Sequence, residues 1–106
     1  MGHSPYAWII DTDHLAEAGE DGDAGVVGPR DAAGESKSEL ERSYGQGHQF
    51  RMYDDDGELY YTGTLFWSGD AEPDEEAVYG PLGDFGMPNA GCVLIKYTGR
   101  PDWDCG

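Results

Sequence analysis

The chain has few basic residues: six Lys plus Arg stand against 22 Asp plus Glu, which gives a formal net charge of −16. A surface so rich in negative charge repels the phosphates of nucleic acids and the anionic headgroups of membranes. Direct binding to nucleic acid or to a membrane is therefore disfavoured. The composition suits instead a basic protein surface, a cation, or no dedicated partner.

Long apolar runs and cysteines are equally scarce. No apolar stretch approaches the length of about 18 residues that a membrane-spanning helix needs, and the N-terminal residues lack the basic stretch and cleavage site of a signal peptide. Cys92 and Cys105 form neither a metal-binding spacing nor a CxxC pair. We therefore predict a cytoplasmic protein in which both thiols are free, with Cys92 buried in an apolar run.

Aromatic residues and glycines, by contrast, are abundant. Three Trp, seven Tyr and three Phe supply the large buried area that disordered chains lack. The 17 glycines and six prolines favour turns and short elements over long helices. A length of 106 residues then predicts a single domain, residues 1–106, with a modest core.

Four segments have the composition of β-strands, which is rich in aromatic and β-branched residues. They are residues 6–10, 49–53, 58–67 and 92–97. Val26 and Val27 add a very short edge strand, because Gly28 and Pro29 end it at once.

One segment has the pattern of a short helix. Ser36 and Glu39 fit a capping box, and Leu40 and Tyr44 follow at a spacing of four. Residues 36–44 are therefore predicted to be helical. The sequence as a whole predicts an α+β fold, a small mostly antiparallel sheet with one short helix and long irregular loops.

The stretch MYDDDGELYYTG, residues 52–63, crowds four acids around one glycine. A two-residue hairpin loop here would set Asp55 opposite Glu58, and such a like-charge pair costs stability. A three-residue loop would turn Met52 towards the threonine-bearing face of the second strand. We therefore predict a four-residue loop, residues 54–57, with Gly57 at positive φ and with Met52 and Tyr61 facing the core.

The other face of the second strand carries Tyr60 and Phe66 beside two threonines. A cover by the 36–44 helix or by residues 78–91 is favoured over a partner site on this face.

Two later segments are predicted to lack regular structure. The glycines and prolines of residues 78–92 oppose regular elements, yet the apolar side chains among them need burial, so a packed loop over the sheet edge is expected. The tail TGRPDWDCG is predicted to fray, with Trp103 returning to the body of the protein.

The acidic stretch does not match a calcium-binding EF-hand loop. If Gly57 took the glycine position of that loop, Met52 and Gly63 would stand at the first and last ligand positions, where carboxylates are required. The spacing therefore predicts no dedicated metal site.

No other group of residues has the spacing of a catalytic centre. Paired carboxylates are expected by chance in a chain with 22 acids among 106 residues, and the pairs are Asp11 with Asp13, Asp21 with Asp23, and Asp102 with Asp104. The three histidines lie far apart, and no serine or cysteine stands beside a base. We therefore predict no catalytic residue, no metal and no cofactor, and a protein that is not an enzyme.

Several stretches resemble small acidic proteins of actinobacteria and their phages. These stretches are YAWII, VGPR, FRMYDDDGELYYTG and PLGDFGMPNAGC with the following Ile95 and Tyr97. The resemblance covers most of the chain except residues 13–24 and the C-terminal tail. No activity is assigned to such proteins, so no functional residue carries over. The resemblance implies a small accessory protein that acts by binding.

The expected function is electrostatic binding to a basic or nucleic-acid-binding protein surface. Over a diameter of roughly 33 Å, which suits a chain of this length, duplex DNA carries about 20 charges, a number similar to the net charge of this chain. The candidate contacts are Asp54, Asp55, Asp56, Glu58, Asp70, Glu72, Asp74, Glu75 and Glu76. Weak divalent-cation binding and a salt-adapted surface without a partner stay open as alternatives, and the sequence leaves the oligomeric state open.

Overall fold

The computed structural model describes residues 6–15, 22, 24–28, 37–68, 73 and 75–105. Among these residues, six strands form one antiparallel sheet, and helices pack on both of its faces. The predicted α+β fold is therefore confirmed.

The strands of the described part are β1 (Tyr6–Asp13), β2 (Val27–Gly28), β3 (Gln46–Tyr53), β4 (Leu59–Trp67), β5 (Leu94–Tyr97) and β6 (Arg100–Cys105). Their order across the sheet is β2-β1-β4-β3-β5-β6. The helical elements are α1 (Lys37–Tyr44), α2 (Glu75–Pro81), a π-helical turn (Leu82–Gly86) and α3 (Met87–Ala90). The last three follow one another without a break, and we call residues 75–90 the helical run. No helix in the described ranges is long and apolar enough to cross a membrane.

All four predicted strands are present, with shifted ends. β1 continues past the predicted end at residue 10 to Asp13, and this extension pairs with β4. The apolar segment 92–97 begins its strand at Leu94 and lies inside the sheet, between β3 and β6. The predicted edge strand is confirmed as β2, which pairs with β1.

The predicted turn with Gly57 at positive φ is confirmed, but the four-residue loop is not. Tyr53 pairs with Leu59, so residues 54–58 lie between the paired positions, and the register carries one bulge. The Gly57 N–H donates to the Asp54 carbonyl oxygen at 3.1 Å, and Gly57 has a φ of 84°, which favours glycine. Met52 pairs with Tyr61, and both side chains are buried as predicted. A shift between this pair and Tyr53 inserts one extra residue on β4, a bulge.

The smaller apolar cluster lies between the sheet and α1. It comprises Ala7, Ile9, Val27, Leu40, Tyr44 and Phe66. Leu40 and Tyr44 are the two residues that the spacing of four selected, so the helix covers Phe66 as expected. Tyr60 instead packs against the larger cluster on the opposite face.

The prediction of an irregular loop over residues 78–92 is wrong, because most of this segment is helical. Two glycines allow the helical run to lie directly on the sheet. A Cβ at Gly80 would lie 2.4 Å from the Tyr6 ring, and a Cβ at Gly86 would lie 2.7 Å from the Met52 sulfur. The glycines are therefore contact points with the sheet, and their weak helix propensity is outweighed by the burial that this approach permits.

The buried side of the helical run carries Phe85 into the larger cluster. Its ring centroid lies 5.4 Å from that of Trp8 and 5.0 Å from that of Tyr61. The carboxylate of the preceding residue, Asp84, accepts hydrogen bonds from the Tyr6 hydroxyl at 2.9 Å and from the Trp8 indole N–H at 3.2 Å. Apolar contacts and hydrogen bonds thus hold the same part of the helical run against β1.

The C-terminal tail is also more ordered than predicted. Gly99, with a φ of 74°, turns the chain, and β6 pairs with β5 where a frayed end was expected. Trp103 returns to the body of the protein, as expected, and is 7% exposed. Its ring makes edge contacts with Trp67 and Tyr97 at centroid distances of 5.7 and 5.5 Å, which anchor the strand.

The packing at Gly80 predicts that substitution by alanine lowers the stability of the protein, which is the opposite of its usual effect in a helix. Ala replacing Gly inside a helix normally stabilises by about 0.5–1 kcal/mol. Gly80→Ala should instead destabilise the protein by about 1–3 kcal/mol, because the new methyl group meets the buried Tyr6 ring. Urea denaturation followed by circular dichroism measures the difference.

Gly83→Ala is the matched control. Its Cβ would meet the Tyr79 ring at 2.6 Å, but Tyr79 is exposed and can swing away. Gly83→Ala should therefore be neutral or stabilising. Equal effects of the two substitutions would contradict the close packing of the helical run on the sheet.

Candidate functional site

The tip of the β3–β4 hairpin is organised around one carboxylate. Oδ1 of Asp54 accepts the backbone N–H of Asp56 at 2.9 Å and that of Glu58 at 2.8 Å. This side chain therefore satisfies two backbone donors that the turn leaves open. One of the four acids at the tip serves the fold.

Hydrogen bonding keeps the Asp54 carboxylate charged. The bond from the Glu58 N–H is the largest cause of the lowered pKa of Asp54, and the Tyr60 hydroxyl contributes a further bond. The same contact raises the pKa of Tyr60, because the phenol donates to a carboxylate. Tyr60, which lies on the bulged strand of the hairpin, thus stabilises the tip through its hydrogen bond to Asp54.

The remaining tip acids face solvent. Asp55, Asp56 and Glu58 are exposed. Oxygens of the three consecutive aspartates, 54 to 56, lie within 4.8 Å of one another. This spacing concentrates negative charge at the tip, although one oxygen of Asp54 is already occupied by two N–H donors.

A second group of acids lines a cleft between α2 and β6, which we call the acidic cleft. It has a volume of about 630 Å³. Its lining residues are Pro73, Glu75, Glu76, Val78, Tyr79, Asp102, Trp103 and Asp104. Four of these carry carboxylates, and all four are exposed. The exposed Tyr79 and the edge of Trp103 give the cleft an aromatic component.

One cation already packs beside the acidic cleft. The Arg100 guanidinium lies 4.2 Å from the centroid of the Trp103 ring and holds Asp102 through two hydrogen bonds of 3.2 and 2.9 Å. These bonds lower the pKa of Asp102. In this region, one arginine can thus pack over an aromatic ring and hydrogen-bond a carboxylate at the same time.

The two groups of predicted contact acids occupy different parts of the protein. Asp54, Asp55, Asp56 and Glu58 lie at the start of β4. Glu75 and Glu76 share a cleft with Trp103, which contacts Trp67 at the other end of β4. The strand between these ends has nine residues and spans about 26 Å at roughly 3.3 Å per step. The other three predicted residues, Asp70, Glu72 and Asp74, lie outside the described residues.

Asp102 and Asp104, which line the acidic cleft, are not among the contacts that the sequence predicts. Pairs of acids arise by chance in so acidic a chain, and the tail is predicted to fray. A visible signal was the alternation of Trp103 with its two flanking aspartates, which is typical of a strand with two different faces.

Cys92 is buried and free, as predicted. Burial raises the pKa of its thiol to about 11, so the thiol is protonated at neutral pH and is a poor nucleophile. The side chain of Cys105 lies outside the described residues.

The geometry therefore offers a charged hairpin tip and an acidic cleft. Comparisons of the chain with family models, with curated proteins and with solved structures found no match. The resemblance to small acidic proteins of actinobacteria and their phages thus stays a prediction.

The role of Asp54 in the turn can be tested by substitution. Asp54→Ala should lower the melting temperature at pH 7, because the Asp56 and Glu58 N–H groups lose their acceptor. Asp55→Ala removes the same charge from the neighbouring position and should have little effect. Thermal unfolding of both variants followed by circular dichroism provides the comparison.

The pH dependence of this difference has a defined direction. Because the folded-state pKa of Asp54 is lowered, its contribution to stability is present above the ordinary aspartate pKa of about 3.9. It is lost as the pH falls through the folded-state pKa. The gap in melting temperature between wild type and Asp54→Ala should therefore narrow below about pH 4. A gap that widens on acidification would contradict the assignment.

Proposed function

We propose that this chain is a non-catalytic binding protein whose acidic cleft takes a Lys- and Arg-rich segment of a partner protein. The observation that carries the proposal is the cleft between α2 and β6, where four exposed carboxylates surround an exposed tyrosine and the edge of a tryptophan. The location expected for such a protein is the cytoplasm, and the free thiol of Cys92 agrees with a reducing compartment.

The chemistry of the cleft suits cationic side chains. An arginine of the partner can hydrogen-bond a carboxylate in bidentate fashion and lie over an aromatic ring. The contact of Arg100 with Trp103 and Asp102 is an example of this arrangement within the same region. Glu75, Glu76 and Asp104 form no ion pair with a cation of the described residues, so their charges are open to a partner.

The acids at the hairpin tip have a different role in this proposal. None of the four tip acids lines the cleft. Together with the net charge they accelerate encounter with a basic partner, while the cleft supplies the contacts that hold it.

A synthetic Lys- and Arg-rich peptide tests the proposal by isothermal titration calorimetry. The cleft variant carries Glu75→Gln with Glu76→Gln. The matched control carries Asp55→Asn with Asp56→Asn at the tip, which removes the same number of charges. Loss of two exposed ion pairs should weaken binding about tenfold in the cleft variant, whereas the tip variant should retain nearly full affinity.

The dependence on salt and on peptide charge completes the test. Binding should weaken steeply as the salt concentration rises, and a peptide with Gln at every basic position should not bind. Equal weakening by the two variants would show that net charge alone attracts the peptide and would overturn the assignment of the cleft. Absence of binding, combined with a melting temperature that climbs into molar salt, would favour the salt-adapted alternative.

Divalent-cation binding at the hairpin tip is a second candidate function. The specific observation in its favour is the closeness of the Asp54, Asp55 and Asp56 oxygens, within 4.8 Å of one another. Calcium or manganese titration of wild type should then show saturable heat that Asp55→Asn with Asp56→Asn abolishes. The cleft variant should retain that heat, and a small unsaturable signal in all three proteins would rule the tip site out.

A further inference from the structure

Two of the few cations in this chain stand side by side on the sheet. Arg51 on β3 and Lys96 on β5 are direct cross-strand partners, and both side chains are exposed. The alternation of Arg51 with the buried Phe50 and Met52 places it on the face opposite to the helical run. α1 packs on the β1 and β4 part of that face, whereas Arg51 on β3 and Lys96 on β5 are exposed.

Neither cation forms an ion pair with a carboxylate of the described residues. Lys96 instead has its Nζ 5.8 Å from the centroid of the Tyr53 ring. Like charges that face each other directly across two strands destabilise a sheet. In a chain with 22 acids and six Lys plus Arg, such a pair without a carboxylate partner is a local charge imbalance that an anion would relieve.

The pair also lies in a concave site, which we call the basic cleft. Its volume is about 330 Å³, near the lower end of the range for small-molecule sites. Arg51, Tyr53, Lys96, Thr98, Pro101 and Asp104 contribute to its lining. It therefore combines two cations, a hydroxyl and a half-buried aromatic ring.

We propose that the basic cleft binds a small phosphate monoester. The planar guanidinium of Arg51 can bond two phosphate oxygens, and Lys96 adds a point charge beside it. The Tyr53 ring and Pro101 offer an apolar wall to the organic part of the ligand. The Thr98 hydroxyl, which makes a long bond of 3.3 Å to Gln49 Oε1, is available at the rim to donate to the anion instead.

The overall negative charge of the protein does not prevent this binding. At physiological salt, charges more than about 8 Å apart are largely screened. The charged groups nearest to the basic cleft therefore determine whether an anion binds there. Among the described residues that line the basic cleft, Asp104 is the one carboxylate, and two cations line the cleft with it. It also lines the acidic cleft, so it marks the border between sites of opposite charge.

Phenyl phosphate and inorganic phosphate are the probes, titrated into ¹⁵N-labelled protein and followed by NMR at constant ionic strength. Saturable shifts are expected at the amides of the basic cleft. Arg51→Gln and Lys96→Gln should each weaken binding about tenfold, since each removes a charge-assisted hydrogen bond. Arg42→Gln, which removes an exposed cation of α1 outside this lining, should leave the affinity unchanged.

Asp104→Asn supplies a test in the opposite direction, because loss of its charge should tighten phosphate binding. Phenyl phosphate should bind at least as tightly as inorganic phosphate if the aromatic wall takes part. The proposal would be overturned by shifts that sodium chloride reproduces, or by equal weakening in all three cation variants. Weaker binding of phenyl phosphate than of inorganic phosphate would overturn the assignment of a monoester.

Discussion

The close approach of the helical run to the sheet is the constraint on which the rest of the structure depends. At Gly80 the backbone of α2 lies against the Tyr6 ring, and a side chain there would separate the two layers. Because the layers touch, Leu82 and Phe85 are buried among the aromatic rings of β1 and β4. The same approach sets the start of α2 beside β6. The acidic cleft is therefore a product of the packing between helix and sheet.

The last strand gives the molecule two sites of opposite charge. β6 returns along β5 after the turn at Gly99, and Trp103 fixes it to the body of the protein. One side of β6 contributes to a cleft with four carboxylates, and the other contributes to a cleft with two cations. Asp104 borders both. The two proposed binding sites, one for a basic segment and one for a small anion, are therefore neighbours.

The sequence predicts the elements that are determined by residues close together in the chain. Alternation of apolar residues selects the strands, and the positive φ that suits Gly57 selects the hairpin tip. The helical run does not follow from local sequence patterns, because Gly80 and Gly86 act through their contacts with Tyr6 and Met52, which lie far away in the chain. The acidic cleft does not follow from them either, since Glu75 and Glu76 meet Asp102 and Asp104 only after β6 has folded back.

Amide hydrogen exchange across residues 75–90, measured by NMR, tests the packing of the helical run most directly. Amides of a helix held against a core exchange through global unfolding, whereas those of an irregular surface loop exchange through local opening. The amides of the buried turn around Phe85 should be protected to the same degree as those at the centre of β4. Exchange of these amides at the rate of unstructured peptide, with β4 still protected, would contradict the account and remove the physical basis of the acidic cleft.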